Sequence, residues 1–442
     1  MKVLQVIHDF LPQCAAGSEL FTYWLSRSLQ SAGVECEVFC GEDSQVAGEA
    51  ITQDEVDGLP TTRLHRRALS STSSTKRWCA DVDQLFEREL SRIKPNVVHF
   101  HHFAGLSLGM AAIVKRAGLP SILTLHDYWF ICPRFHLINS AGSLCSKQPG
   151  RHCIDCLWPR EQSRLLNPVF GPAVWVIKRL LSKLPDWLPV VDKAKDILRE
   201  SVSWLADSQD VIDDINVLVA PTAFVARKLS ETGLRHRDVR VIKNGIDVSR
   251  FRNISRSPHK RPRFGFIGSH TYKGLKVLIE AFELLPAGAS ELHIYGRVPE
   301  SLASRINLLM SRRSVYVHGS FDPGEIAHVF ESFDVLVVPS LVYETSSLVI
   351  TEAFASKVPV VASNIGALAE GVRHGINGLL FERGNPQDLA AKLKCFIDDP
   401  CLASRLASAA KVRMIEDAAQ EYLALYKELL KHNLSRHERV AE

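Results

Sequence analysis

Short apolar runs alternate with amphipathic helical patterns along most of this 442-residue chain. Val3–Ile7 is a compact apolar run, Gly17 then opens a helical pattern that Gly33 closes, and Glu37–Cys40 begins the next run. Fully apolar strands between amphipathic helices are typical of a parallel sheet covered on both faces. We therefore predict an α/β fold.

The apolar runs fall into two groups, which predicts two doubly wound, Rossmann-like domains that face a central cleft. The first group is Val3–Ile7, Glu37–Cys40, Val97–Phe100, Ser121–Leu125 and Val217–Ala220. The second group is Phe264–Ile267, Leu292–Tyr295, Val335–Val338 and Val358–Ala362. Asn244-Gly245 is a strong turn signal between the groups. We assign residues 1–243 to the first domain, with an insertion at about 132–205. Residues 244–415 form the second domain, and residues 416–442 a helix and tail that cross back to the first domain.

Charge and hydrophobicity exclude two classes of protein. The chain has 53 basic and 49 acidic residues, and this charge of +4 is too small to make nucleic acid the main partner. No run of about 18 uninterrupted apolar residues occurs, so we expect no transmembrane helix. His8 and Asp9 interrupt the first apolar run, which favours a strand over a signal peptide. We expect a cytoplasmic protein.

The most informative segment runs from the strand Val335–Val338 through Pro339 to a helix that begins near Ser346, Ser347 and Leu348. Ligands of open α/β sheets sit at the carboxyl ends of strands, and a helix N-terminus suits a phosphate. Glu344 would lie in the loop, and Glu352 on the side of the helix that can reach a ribose. The alternative is an ordinary capped helix with two solvated glutamates.

This segment and its continuation to Phe381 resemble the retaining family-four glycosyltransferases of the GT-B fold, also called glycosyl transferases group 1. That family carries Glu-x7-Glu, then a strand containing Val-Pro, then Glu-x4-Gly-x-Asn-Gly. The matching residues here are Glu344 and Glu352, Val358–Ala362, and Glu370 to Gly378. Lys357 stands where the family usually has glycine. Weaker similarities extend the resemblance over most of the chain.

The resemblance implies a nucleotide-sugar site and assigns roles within it. Lys273 takes the position of a phosphate-binding lysine, where positive charge stabilises the leaving diphosphate. His126 takes the position of a histidine that contacts the donor sugar near the reacting carbon. Many members have an arginine shortly after the strand glycine, whereas Ser269 follows Gly268 here. More of the phosphate charge would then fall on Lys273 or on Arg297.

We assign catalysis to His126, Lys273 and Glu344. The residues assigned to donor binding are Gly17, Ser346, Ser347, Leu348, Glu352 and Phe321. A glycine at position 17 allows close approach of the backbone to phosphate or sugar. Phe321, after the predicted strand Val315–Val317, is the candidate for the base pocket.

Three further histidines, His99, His101 and His102, follow the predicted strand Val97–Phe100 or lie at its end. One interpretation is a cleft rim with no fixed role, and the other is acceptor binding. The sequence leaves both open.

The insertion contains four of the ten cysteines, namely Cys132, Cys145, Cys153 and Cys156. Four thiols in a reduced compartment are the ligand set of a structural zinc site. Their spacing is not that of a standard zinc finger, and four independent or redox-sensitive thiols are the alternative. A metal there would brace the wall of the active site and perform no chemistry.

The segment Ala173–Leu184 combines apolar residues with Lys178, Arg179 and Lys183. A basic amphipathic helix of this kind can lie on an anionic membrane surface. The alternative is a helix packed on the first domain. The resemblance, with its frequent lipid-linked acceptors, keeps peripheral contact with the inner membrane face open.

These features predict a retaining glycosyltransferase that moves a sugar from a UDP- or GDP-linked donor to a glycan or lipid-linked acceptor, in cell-surface polysaccharide or glycolipid synthesis. We expect no catalytic metal. A GT-B nucleotide-sugar epimerase and a non-catalytic nucleotide-sugar-binding protein are the alternatives. A two-carboxylate hydrolase is disfavoured because Glu344 and Glu352 belong to one domain and would not bracket a glycosidic bond.

Overall fold

The structure is a computed structural model that describes residues 1–43, 50–66, 77–157, 189–256, 259–312 and 314–441. The chain forms two compact units. One contains Met1–His126, Ile215–Ala226 and Arg237–Glu442, and the other contains Asp127–Asp214 and Arg227–His236. The predicted membrane-contact helix Ala173–Leu184 lies outside the described residues.

The first unit contains an eight-stranded sheet with the order β3-β4-β2-β1-β5-β6-β7-β8. All its neighbouring strands are parallel except the antiparallel pair β3 and β4. The bounds are β1 Lys2–Ile7, β2 Glu35–Glu42, β3 Ile51–Val56, β4 Leu59–His65, β5 Val97–Phe100, β6 Ser121–Thr124, β7 Val217–Ala220 and β8 Val239–Val241.

The same unit contains a six-stranded sheet with the order β11-β10-β9-β12-β13-β14, and every neighbouring pair in it is parallel. The bounds are β9 Arg263–Ile267, β10 Glu291–Tyr295, β11 Val315–Gly319, β12 Val335–Val338, β13 Val360–Ser363 and β14 Gly378–Phe381. In each sheet the chain order reverses direction at the central strands. These reversals create the crevices in which ligands of doubly wound folds bind.

Helices connect the parallel strands, as the right-handed crossover of such sheets requires. Those before the second sheet are α1 Gly17–Ser31, α2 Ala80–Ile93, α3 Gly109–Arg116, α4 Ile154–Leu157, α5 Pro189–Asp214 and α6 Ala223–Glu231. The others are α7 Leu275–Glu283, α8 Glu300–Arg312, α9 Ile326–Glu331, α10 Leu348–Ala355, α11 Gly366–Gly371, α12 Pro386–Asp398, α13 Leu402–Ser408 and α14 Ile415–Ala441.

The prediction of two parallel-sheet α/β domains is confirmed. The C-terminal helix α14 packs against α1 of the first sheet, as predicted for a helix that crosses back. The crossing begins where Gly245 packs against Met414, so closely that a Cβ on Gly245 would overlap the Met414 carbonyl. Among the described residues, no helix is long and apolar enough to cross a membrane.

Four strands escaped prediction, namely β3, β4, β8 and β14. The strand β3 has mostly exposed polar residues, and β4 contains two threonines and an arginine. The other two, Val239–Val241 and Gly378–Phe381, have only three and four residues. The strands β3, β4 and β8 lack the uninterrupted apolar run that marked the central strands, and β14 is apolar but very short.

Candidate functional site

The loops after β9 and β12 meet at the carboxyl edge of the second sheet. Gly274 has φ +84°, a left-handed conformation that favours glycine, and a Cβ there would overlap the carbonyl oxygen of Pro339. The Leu341 amide donates a hydrogen bond of 2.8 Å to the Tyr272 carbonyl. This close packing fixes the position of Lys273 beside the loop that carries Glu344.

Lys273 and Glu344 form an ion pair, with Nζ 2.8 Å from Oε1. The Glu344 side chain is 13% exposed and also accepts a hydrogen bond of 2.9 Å from the Ser340 hydroxyl. Burial, and then the nearby Glu344 charge, raise the pKa of Tyr272 to about 12, so its phenol stays protonated. The structure therefore brings together two predicted catalytic residues in one partly buried, hydrogen-bonded cluster.

Two helix N-termini lie next to each other. The helix α10 begins at Leu348 and α1 begins at Gly17, and a Cβ on Gly17 would lie 3.4 Å from Leu348 Cδ1. Neither N-cap residue, Ser347 or Ala16, uses its side chain to cap its helix. The N-termini of the two helices therefore lie close together, and the backbone N–H groups and positive dipole end at such a terminus suit an anion.

Glu352 lies on α10 and is buried, with 8% of its surface exposed. Burial raises the pKa of Glu352 to about 7, against the smaller, opposite influence of Arg250. The Arg250 guanidinium lies over the Trp24 ring, 5.4 Å from its centroid. Glu352 is therefore not a solvated glutamate, and its carboxyl group titrates near neutral pH.

His126 is half-buried after β6, on the first sheet. Its carbonyl accepts a hydrogen bond of 2.5 Å from the Thr345 hydroxyl, and the Thr345 carbonyl accepts one of 3.2 Å from Thr222. The Phe21 ring lies 5.4 Å from the His126 ring. These bonds join the end of β6 to the loop that carries Glu344, so that all three predicted catalytic residues belong to neighbouring loops.

Phe321 follows β11 and contacts an aromatic cluster. Its ring meets Tyr295 edge-on at 5.8 Å, and Tyr295 stacks on His318 at 4.3 Å. The Tyr295 hydroxyl donates to Ser332 at 2.9 Å. An aromatic surface at the carboxyl ends of β10 and β11 suits a nucleotide base, although the base-pocket role of Phe321 remains a prediction.

Of the two interpretations of His99, His101 and His102, an exposed cleft rim does not fit the structure, and acceptor binding stays a prediction. Their exposed fractions are only 0%, 1% and 3%. His99 is covered because α14 brings Tyr422 and Tyr426 onto this face of the sheet, and Tyr426 hydrogen-bonds His99 at 2.7 Å. No local pattern indicated this cover, since Tyr426 is 327 positions away from His99 in the chain.

A separate polar cluster at the start of α1 was not predicted. Glu19 is 1% exposed, and its Oε1 lies 3.2 Å from Nε2 of His8. Burial raises the pKa of Glu19. The His8 ring lies 4.5 Å from that of His102. In the sequence, Glu19 looks like an ordinary acidic residue in the first turn of a helix. Its burial is seen only in the three-dimensional structure.

Several polar residues around the Lys273–Glu344 pair were not predicted. They are Tyr272, Ser340, Thr345 and Arg383. The Arg383 guanidinium, just after β14, donates to the Leu341 carbonyl at 3.1 Å. Ser340 and Thr345 could have been predicted, since both lie in the loop between β12 and α10 on which the family resemblance rests. Arg383 follows a strand that the sequence did not predict.

The four cysteines of the insertion line one small cavity in the second unit, together with His152. Cys153 Sγ lies 3.7 Å from His152 Nε2. Burial raises the pKa of Cys132, and that of Cys153 to about 11. Within the described ranges, however, no group of three or more His, Cys, Asp or Glu side chains is arranged to hold a metal ion. The structure brings the cysteines together, and zinc remains a prediction.

Two family models match the chain. Residues 16–245, more than half of the chain, match the glycosyl transferase 4-like domain, and residues 261–399 match the glycosyl transferases group 1. The first match covers most strands of the first sheet and the second covers the whole of the second sheet. Together they include every predicted catalytic and donor-binding residue.

Individual proteins match over nearly the full length. A glycogen synthase of Mycobacterium tuberculosis is 24% identical, over 96% of this chain and 95% of its own. Two solved structures share the fold. Sucrose-phosphate synthase from Thermosynechococcus elongatus has a TM-score of 0.66 at 16% identity, covering 98% of this chain and 100% of its own. Anabaena Alr3699/HepE in complex with UDP has a TM-score of 0.64 at 15% identity, covering 97% and 100%.

Proposed function

The chain belongs to the group 1 glycosyltransferases with a 4-like N-terminal domain, and from this premise we propose that it transfers a sugar from a nucleotide-sugar donor to a hydroxyl acceptor with retention of anomeric configuration. The observation that carries the proposal is the convergence of Lys273 and the N-termini of α1 and α10 at the carboxyl edges of the two sheets. A cationic side chain and two helix dipoles at one place suit a diphosphate.

The donor diphosphate binds between Lys273 and the first turns of α1 and α10. Binding of the diphosphate draws the Lys273 ammonium from Glu344 to phosphate oxygens, and Glu344 becomes available to a hydroxyl of the donor. The carboxylate of Glu352 accepts hydrogen bonds from the ribose hydroxyls, since a charged acceptor and vicinal hydroxyls pair strongly. The base stacks beside Phe321 and Tyr295. We propose a UDP- or GDP-linked donor, and the complex of the similar Anabaena protein with UDP supports a uridine nucleotide.

The transfer step needs stabilisation of the leaving diphosphate more than a side-chain base. The bond between the anomeric carbon and the phosphate oxygen breaks, and negative charge develops on the diphosphate next to Lys273. The acceptor hydroxyl attacks from the same face, its oxygen bonds to the anomeric carbon, and its proton moves to the leaving phosphate oxygen. Lysine and helix dipoles supply the positive charge, so we propose no catalytic metal.

We propose that the acceptor binds on the side of the first sheet, near His8 and Glu19. Buried carboxyl and imidazole groups offer fixed hydrogen-bond partners to sugar hydroxyls. A glycan or lipid-linked acceptor fits such a site. The proposed role is the synthesis of cell-surface polysaccharide or glycolipid in the cytoplasm, with peripheral contact to the inner membrane face.

A panel of UDP- and GDP-linked sugars tests the proposal. The purified protein should release free nucleotide from one of them, faster when a glycan or lipid-linked acceptor is present. An isomerised nucleotide sugar without an acceptor product would identify an epimerase. Tight nucleotide binding with no turnover of any donor, with or without acceptors, would identify a non-catalytic binding protein.

A further inference from the structure

Three hydrogen-bonded side chains cross three neighbouring strands of the first sheet. Gln5 lies on β1, His101 follows β5 and His126 follows β6. Nε2 of His101 lies 2.8 Å from Oε1 of Gln5, and Nδ1 of His101 lies 2.8 Å from Nε2 of His126. His101 therefore uses both ring nitrogens, one toward Gln5 and the other toward His126.

His101 is held as a neutral imidazole. It is 1% exposed, and burial, together with the nearby rings of His99 and His126, lowers its pKa well below the usual value for histidine. A neutral imidazole has one N–H donor and one acceptor nitrogen. The hydrogen bond made by one nitrogen decides which role the other takes.

The partners of His101 fix the positions of two protons. The amide oxygen of Gln5 can only accept a hydrogen bond, so Nε2 of His101 carries the proton. Nδ1 of His101 is then the acceptor, and Nε2 of His126 must donate to it. In neutral His126 the proton therefore resides on Nε2, and Nδ1 has the lone pair.

Surrounding groups keep the His101 ring in this orientation. The His99 ring lies against it with centroids 4.1 Å apart. His99 is itself fixed at both nitrogens, by the Tyr426 hydroxyl at 2.7 Å and the Thr124 hydroxyl at 2.8 Å. Rotation of His101 would break its own two bonds inside a buried layer, where unpaired polar groups are costly.

We infer that Gln5 and His101 are positioning residues that fix neutral His126 as the Nε2–H tautomer and hold its ring in one orientation for the bound sugar. The inference rests on the proposed function and on the role that the family resemblance implies for His126, contact with the donor sugar near the reacting carbon. The bond from the Thr345 hydroxyl to the His126 carbonyl supports that assignment, because it holds His126 beside the loop that carries Glu344. The tautomer follows from the two hydrogen bonds of His101 together with the orientation of the Gln5 amide, whose oxygen faces Nε2 of His101.

NMR of protein labelled with ¹⁵N histidine measures the tautomer directly, and His126→Gln identifies the His126 signals by their loss. At pH 8.5, above the usual range for histidine, we expect His126 with a protonated Nε2 and an unprotonated Nδ1. A proton on Nδ1, or an averaged mixture of tautomers, would overturn the inference. This readout needs neither donor nor turnover.

Gln5→Leu removes the acceptor that fixes His101 and keeps a side chain of similar size. We expect a mixture of His126 tautomers and a kcat about tenfold to a hundredfold lower, with UDP affinity unchanged within about twofold. An unchanged tautomer with unchanged kcat would refute the positioning role. His328→Gln, on the exposed side of α9, is the matched control and should alter neither quantity.

The proposed function and the His126 tautomer can be disproved separately. If wild-type His126 shows the Nε2–H tautomer but no nucleotide sugar is turned over, the proposed function is wrong and the proton assignment stands. If the enzyme transfers sugar but His126 shows the other tautomer, the inference about Gln5 and His101 is wrong and the proposed function stands.

Discussion

The ammonium group of Lys273 lies 2.8 Å from a carboxylate oxygen of Glu344, although the two residues are 71 positions apart. The strands β9 and β12 are neighbours in the sheet, and the loops that follow them carry one member of the pair each. A cation and an anion thus share the place where the helices α1 and α10 begin. The account assigns the cation to the donor diphosphate and the anion to a donor hydroxyl.

Glu344→Ala should lower kcat by on the order of a hundredfold or more. The change removes a charge-assisted contact to the transition state, which is typically worth about 2–4 kcal/mol. Steady-state kinetics with the identified donor measures the effect, and circular dichroism checks the fold. Glu300→Ala, an exposed acid at the start of α8, should retain activity. Full activity of Glu344→Ala would remove this residue from the mechanism.

Donor binding should tighten as the pH rises through about 7, because burial raises the pKa of Glu352 to about that value. Below this pH the carboxyl group is protonated and loses the charge-assisted hydrogen bonds to the ribose. Glu352→Gln should weaken donor binding more than it slows the bound-state reaction, and should lose this part of the pH dependence. Calorimetric titration of the wild-type protein and of Glu352→Gln with UDP between pH 6 and 8 tests both expectations. The same pH dependence of UDP affinity in the two proteins would contradict the assignment of Glu352 to the ribose.

The same raised pKa has a defined effect on stability. Between pH 4.5 and about 7 the folded protein binds a proton at Glu352 that the unfolded chain does not. The free energy of unfolding contributed by this group therefore decreases as the pH rises across that window. Glu352→Gln should flatten the decrease in chemical denaturation experiments, and an unchanged slope would show that Glu352 titrates normally.

The product should keep the anomeric configuration of the donor, and transfer should need no divalent cation. Attack on the face from which the diphosphate leaves produces retention, and Lys273 with the helix dipoles replaces a metal. Proton NMR of the product reports the configuration, and assay after brief chelation reports the metal requirement. An inverted product, or immediate loss of all activity on chelation, would contradict the proposed mechanism.

If the four cysteines of the cavity bind zinc, the isolated protein should contain about one equivalent of it. The zinc–sulfur distances should then be roughly 2.3 Å. Cys153→Ser should then lower the melting temperature, whereas Cys395→Ser, at an exposed position of α12, should not. Elemental analysis is the deciding measurement. Absence of zinc and iron would exclude the metal site. In that case burial should make Cys132 and Cys153 react more slowly with a thiol reagent than Cys395 does.

The sequence allowed the strands and the donor-site loop to be predicted where a local pattern directly reflects the structural role of the segment. The run Val335–Val338 is apolar because both faces of a central parallel strand are buried, and the following loop and helix start give the donor site. Gly17 and Leu348 could each be assigned to donor binding, but their proximity depends on how the two sheets pack. No local pattern contains that information.

The polar core of the first sheet illustrates what could not be predicted. His99 has a polar side chain in a short strand, which as a sequence feature suggests exposure. It is fully buried because Tyr426, from the last helix, covers it and satisfies one of its nitrogens. Burial of such a residue is decided by a partner distant in the sequence, and so is the proton position on His126.

The comparison of Lys273→Ala with Lys276→Ala tests the central claim most directly. Both lysines lie near the start of α7, but Lys276 is 67% exposed while Lys273 pairs with Glu344. The account predicts that Lys273→Ala loses at least about a hundredfold in donor turnover with its fold intact, because the leaving diphosphate loses its cation. Lys276→Ala should turn over donor at the wild-type rate. Full turnover by purified Lys273→Ala would contradict the assignment of the donor diphosphate to this site.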